Sequence, residues 1–263
     1  MGIVSLLLTN ASILIVCALL LWLISIRLGD VSFVDGWWPL GMVLVALASF
    51  AQTGGSGPHA VALTALCTIW GVRLSAYLLW RWRRQGADPR YTAMLNDAQT
   101  RRGWGFGKAS LLLVFALQAP LQWLVCLPVQ LGQIPPTFDL RGLGWAGVAL
   151  AVFGIGFESL GDWQLLRFKA DPANAGTVMD RGLWRYTRHP NYFGEACLWW
   201  GLYLIAAETG LGAWSLPAPI LITLLLTKGS GAPTVEGRMG QRPGYQDYVR
   251  RTSGFIPWPP KRA

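Results

Sequence analysis

The chain has 263 residues, 53% of them hydrophobic and 13% charged, with a mean hydropathy of +0.38 and a formal net charge of +9. Ordinary soluble domains carry about 25% charged residues, so this balance excludes a soluble globular class and points to a polytopic membrane protein. Two histidines exclude a histidine-rich metal cluster, and the four cysteines sit singly in apolar segments without metal-ligand spacing, so no metal is expected.

Taken in chain order, the apolar runs predict an all-α bundle of seven transmembrane helices in a single membrane domain over residues 1–263. The helices are expected at about 3–27, 37–52, 60–83, 109–130, 143–168, 191–207 and 210–227. The first run has no charge from residue 3 to 26 and is longer and less basic at its start than a signal peptide, so it reads as a retained span. No repeated two-residue alternation supports a lipid-facing barrel. Lys and Arg concentrate after the third, fifth and seventh helices, while the opposite loops carry little beyond Arg141. That bias predicts an outside N-terminus and a cytoplasmic C-terminus, and it explains the positive charge without nucleic acid.

Ionisable residues inside spans are costly and normally face a bundle interior or a water-filled cavity. On the third helix, Trp70, Arg73, Tyr77, Arg81 and Arg84 share a sector about 80° wide. Arg81 and Arg84 sit near enough to the helix end to snorkel to the interface, whereas Arg73 is almost three turns deeper. The fifth helix places Glu158 and Asp162 one turn apart. The sixth opens on Pro190, a residue suited to a first helical position, and sets Asn191 and Glu195 on one face with Trp199. Interhelical ion pairs would use these residues, and so would a polar cavity open to the cytoplasm. The flanking loops RGLWRYTRHP (181–190) and EGRMGQRPGYQDYVRRTSGFIPWPP (236–260) are rich in arginine and aromatic residues and favour the cavity. Guanidinium forks bind phosphate and aromatic rings stack on nucleotide rings, a chemistry that suits a phosphorylated dinucleotide and nearly as well an anionic lipid headgroup. No GxGxxG follows a predicted strand, so any nucleotide is expected to be held by the helices themselves.

The run RGLWRYTRHPNYFGE, with the downstream Glu-Gly-Arg-Met, RPGYQDY and FIPW, resembles the membrane domain of steroid 5α-reductases and their bacterial relatives of the DUF1295 type, over residues of about 60–260. TRHPNY taken alone is also similar to isoprenylcysteine carboxyl methyltransferases. The reductase resemblance implies a seven-helix enzyme of the bacterial inner membrane. Such an enzyme uses NADPH from the cytoplasmic side to reduce the C4–C5 double bond of a 3-oxo-Δ4 steroid or similar apolar enone taken from the bilayer. It implies that Asn191 and Glu195 meet the nicotinamide end, with Asp162 and Glu158 further out and Arg73, Tyr77 and Arg81 approaching from the third helix. Lys169, Arg181, Arg188, His189, Arg238, Tyr245 and Tyr248 would surround the phosphates or adenosine.

One departure stands out: Trp70 occupies the position where the resemblance implies a ketone-holding tyrosine. The nearby carboxyl group is Asp35, expected to stay protonated among Trp37 and Trp38 and to donate to the oxyanion formed on hydride addition. Asp35, Glu195 and Tyr77 are thus the expected catalytic residues, and Asp35, Trp37, Trp38 and Trp70 the expected substrate contacts. Two competing classes are an S-adenosylmethionine-dependent methyltransferase and a lipid-binding scaffold. Carboxylates buried at two separate helices argue against the scaffold.

Overall fold

A computed structural model describes residues 2–55, 57–135, 139–229 and 231–261. Among them every named element is helical: α1 (Ile3–Leu28), α2 (Val34–Thr53), α3 (Pro58–Gln85), α4 (Pro89–Arg102), α5 (Phe106–Val125), α6 (Leu127–Leu131), α7 (Gly142–Ala170), α8 (Pro190–Ala207), α9 (Pro217–Thr227), α10 (Ala232–Met239) and α11 (Tyr245–Arg251). Six stretches are long and apolar enough to cross a membrane, namely α1, α2, α3, α5, α7 and Leu211–Gly237. The expected sixth span, at about 191–207, corresponds to α8, an 18-residue helix outside that group of six. The chain divides into two compact units, Met1–Gly144 with Ile205–Ser215, and Trp145–Leu204 with Leu216–Ala263.

In the first unit α1 turns a bare apolar face outward, exposing Leu8, Val16, Leu20 and Leu23 by 45% or more. A soluble protein rarely shows such a surface, and lipid is its natural cover. The inner face carries a polar knot. Asn10, fully buried, donates to Ser49 Oγ (2.8 Å) and Gln130 Oε1 (3.1 Å), and its own oxygen accepts from Gln52 (3.0 Å). Gln133 donates to the Ala46 and Val129 carbonyls and Gln122 to the Trp38 carbonyl. Where water is absent, such side-chain amides join helices that lipid alone would not press together.

Three features depart from the expected elements. Helix α4 was not anticipated; it begins with Asp88 capping the Arg90 N–H and Pro89 at the first position, and ends at Gly103 with φ 64°. Its Leu95 and Ala98 pack into a core with Val31, Phe33, Val34, Ala109, Val114 and Phe115. Helix α2 starts at Val34, which puts Asp35 in a helical first turn. Helix α5 contains a π-helical turn at Leu111–Phe115, ahead of Pro120, and stops at Val125, with α6 continuing as a separate turn.

Glu208 fixes the start of α7. Its carboxylate accepts from the Arg141 N–H (2.9 Å) and the Gly144 N–H (2.9 Å), which would otherwise be unpartnered at a helix N-terminus, and it meets His59 Nε2 at 2.8 Å. Burial pushes the Glu208 carboxyl up, but the two backbone donors and His59 outweigh it and hold the group below the ordinary 4.5.

The second unit is organised by the antiparallel pair α7 and α8, whose backbones touch through glycines on both sides. A Cβ on Gly154 would lie 2.5 Å from the Gly194 carbonyl oxygen. One on Gly194 would lie 2.6 Å from the Glu158 nitrogen, and one on Gly201 2.6 Å from the Ala151 nitrogen. Small residues at this spacing are the usual device for close helix approach in a membrane. Phe193 meets Phe157 edge-on at 5.4 Å beside the seam. Outward, α7 exposes Val152, Phe153, Leu160 and Trp163, and near its start Trp145 is 60% exposed. Trp145 and Trp163 are about 27 Å apart along the axis at about 1.5 Å per residue, close to the hydrocarbon thickness of about 30 Å, as expected for two interfacial tryptophans on one span.

Two outcomes test this packing. Gly194→Val should lower the melting temperature in detergent by roughly 5 °C or more through overpacking, while Gly156→Ala, where an added Cβ meets nothing within 4 Å, should leave it unchanged. Because the folded-state pKa of Glu208 is depressed, its stabilisation is present above the ordinary glutamate value and lost as pH falls through the folded value. Glu208→Gln should therefore melt lower than wild type at pH 7, and the gap should narrow in melts below about pH 4.

Candidate functional site

The seam sets the level of the acidic residues. Gly161 on α7 lies against Pro190 and the Asn191 nitrogen, and Gly194 on α8 lies against Glu158. Glu158, Asp162, Asn191 and Glu195 therefore occupy the same depth of the second unit, as the sequence predicts for a shared polar site. Glu158 is 2% exposed, Asp162 6% and Glu195 8%. Each of the three carboxylates is engaged within the protein. The Asn191 Oδ1 atom is buried and has no hydrogen-bond partner among the described residues. An orphaned buried acceptor costs about 1–3 kcal/mol, so this oxygen suits a ligand that brings an N–H or O–H donor.

Below this level, the 180–190 loop is tied to the C-terminal segment. Thr187 forms a parallel bridge with Ser253, and the Arg188 N–H donates to the Ser253 carbonyl. The Arg188 side chain donates to Glu236 (2.9 Å) and to the Thr252 and Val249 carbonyls (2.8 and 3.3 Å). His189 Nε2 meets the same Glu236 oxygen at 2.9 Å, and its ring stacks on Tyr192 at 5.3 Å. Burial lowers the His189 pKa, against the pull of Glu236. The Tyr248 hydroxyl donates to the Trp184 carbonyl (2.6 Å), burial pushes that phenol up, and the buried Tyr245 ring packs beside it. Arg188, His189 and Tyr248, expected around a cofactor's phosphates, thus spend their polar groups on joining two segments of the chain.

Arg181 and Lys169 are exposed. Arg181 borders a surface pocket of about 310 Å³ together with Trp163, Gln164 and Arg167. At about 100° per residue, Arg167 points about 180° from Glu158 around α7, so this pocket opens on the other side of the helix from the carboxylate. The side chain of Arg238 lies outside the described residues.

The first unit holds the other expected residues. Trp70 is fully buried, Arg73 is half-buried and engaged, and the Tyr77 ring stacks on Trp80 at 6.4 Å. Trp37 packs against the core beneath α4. Asp35 differs from the expected protonated donor: Arg90 donates to one of its oxygens (2.7 Å), Tyr91 to the other (2.6 Å), and Arg81 stands 3.8 Å away. The group is built as a charge-paired acceptor because α4 brings Arg90 and Tyr91 over it. Burial raises the Tyr91 phenol, and the Asp35 charge raises it further. Burial alone would lower the Arg90 guanidinium, yet Asp88 and Asp35 lift it above its ordinary value. Arg90 and Tyr91 escaped the sequence reading; the signal for them was the Asp88-Pro89 helix start.

The loop tie predicts that Arg188→Gln, which removes a guanidinium serving Glu236 and two carbonyls, will speed limited proteolysis between residues 240 and 261 several-fold. Arg250→Gln, at a 74% exposed side chain paired with Asp247 on its own helix, should leave the rate unchanged.

Comparison with known proteins adds two positive findings. A curated fission yeast protein, "Uncharacterized protein C594.04c" of Schizosaccharomyces pombe, is 24% identical over 266 residues, covering 90% of this chain and 75% of its own. No solved structure matches significantly. The family model described as "Protein of unknown function (DUF1295)" matches residues 21–252, and the chain belongs to that family.

Proposed function

We propose that this protein is an NADPH-dependent membrane reductase that saturates the carbon-carbon double bond of an apolar enone, a 3-oxo-Δ4 steroid being the substrate the sequence resemblance favours. The observation that carries the reading is the buried acidic level of the α7/α8 seam, with the Asn191 Oδ1 in it lacking a partner among the described residues. Buried ionisable residues at membrane depth are a functional signature. A nicotinamide carboxamide offers the N–H donors that Asn191 and Glu195 would accept, so the residues fit the group. Bound NADPH would supply the hydride.

The chain's own part is to orient the nicotinamide through Asn191 and Glu195, to exclude water with the closely packed seam, and to stabilise charge developing on the substrate oxygen. In this reading α8 also spans the bilayer, as the sixth of seven spans. The N-terminus lies outside and the cofactor side faces the cytoplasm of a bacterial inner membrane, in keeping with the Arg and Lys bias of the loops.

Purified wild-type protein should melt higher with NADPH than without, and S-adenosylmethionine should not shift it. Asn191→Ala and Glu195→Gln should each weaken NADPH binding about tenfold or more, the loss of one or two buried hydrogen bonds. Unchanged affinity in both variants rejects the placement, and a shift with S-adenosylmethionine alone transfers the protein to the methyltransferase class.

A further inference from the structure

The pocket beside Arg181 lies at the foot of a surface that the reductase reading leaves unused. Val152, Phe153, Leu160 and Trp163 form a stripe down the outer face of α7, 55%, 49%, 43% and 52% exposed. Gly156 interrupts it on the same face, and a Cβ added there would meet nothing within 4 Å, which leaves a shallow notch about one turn from both Phe153 and Leu160. At the foot, the Arg167 guanidinium covers the Trp163 ring at 5.2 Å. Arg181 and Arg167 both border the pocket of about 310 Å³ there.

The loop geometry that builds the far wall is specific. Gly182 has φ 58°, a conformation favouring glycine, and a Cβ there would collide with Gln164, whose Oε1 accepts the Leu183 N–H at 2.9 Å. Asp171 also borders the pocket, and its Oδ1 caps the following turn through the Ala173 N–H at 2.9 Å. Two guanidiniums and one carboxylate leave a single excess positive charge.

We infer that this outer face of α7 binds one anionic glycerophospholipid. The phosphodiester lies against Arg167 and Arg181, and an acyl chain runs along the stripe through the Gly156 notch. One negative charge matches the excess of one positive. Guanidinium forks are suited to phosphate oxygens, and Trp163 sits where the hydrocarbon ends, about 27 Å along the helix from Trp145. The continuity of pocket and apolar stripe selects a lipid over a soluble phosphate. The site depends on α7 spanning the bilayer and is independent of the reductase reading.

Native mass spectrometry and melting curves of the purified full chain, titrated with dioleoyl phosphatidylglycerol or dioleoyl phosphatidylcholine, test the site. Wild type should retain one phosphatidylglycerol and gain melting temperature from it, with phosphatidylcholine at least tenfold weaker. Arg167→Gln should lose the preference for the anionic lipid. Gly156→Leu, which fills the notch from a position where an added Cβ meets nothing within 4 Å, should weaken both lipids while its lipid-free melting temperature stays at or above wild type. Arg250→Gln is the control and should bind as wild type. Equal retention of phosphatidylglycerol by Arg167→Gln and wild type overturns the proposal, as does displacement of the lipid by millimolar glycerol 3-phosphate, which would assign the pocket to a soluble phosphate.

Discussion

The second unit depends on bringing two helix backbones into direct contact. Gly154, Gly194 and Gly201 remove the side chains that would hold α7 and α8 apart. The gain is dispersion and close carbonyl approach in a medium that offers no hydrophobic drive for association. The same closeness fixes the depth of every polar side chain on the two helices. Glu158, Asp162 and Glu195 are buried at this level, and the buried Asn191 Oδ1 atom has no hydrogen-bond partner among the described residues. A seam of larger residues would widen the gap, admit water or lipid, and relax the acidic level on which the functional reading rests.

The first unit solves a related problem with different chemistry. Its spans are joined by side-chain amides centred on Asn10 and by the Glu208 carboxylate, which satisfies the free N–H groups of a helix start. Near the starts of α2 and α4, Asp35 accepts from Arg90 and Tyr91.

The spans were legible because a helix crossing lipid must write itself as a long apolar run, and the boundaries of α1, α3 and α7 follow that rule closely. Helix α4 was missed for the same reason: it is polar along most of its length, and its evidence lay in the cap at Asp88 and the glycine at 103 instead of in hydropathy. The end of α5 at Val125 was likewise invisible, since the run stays apolar through the break. Among the site residues, the shared level of Glu158, Asp162, Asn191 and Glu195 was legible from helical spacing and the Pro190 start. The partners of Asp35 and the engagement of Arg188 with residues some fifty to sixty positions away were not, because single-chain spacing carries no information about contacts between distant segments.

The α7/α8 acidic level is proposed to hold a dinucleotide. The most direct measurement is the intrinsic fluorescence of NADPH titrated with purified protein. One saturable site per chain, with emission shifted to shorter wavelength as water leaves the nicotinamide, is the predicted result. A titration that shows no saturable change, in protein whose melting is cooperative, would contradict it.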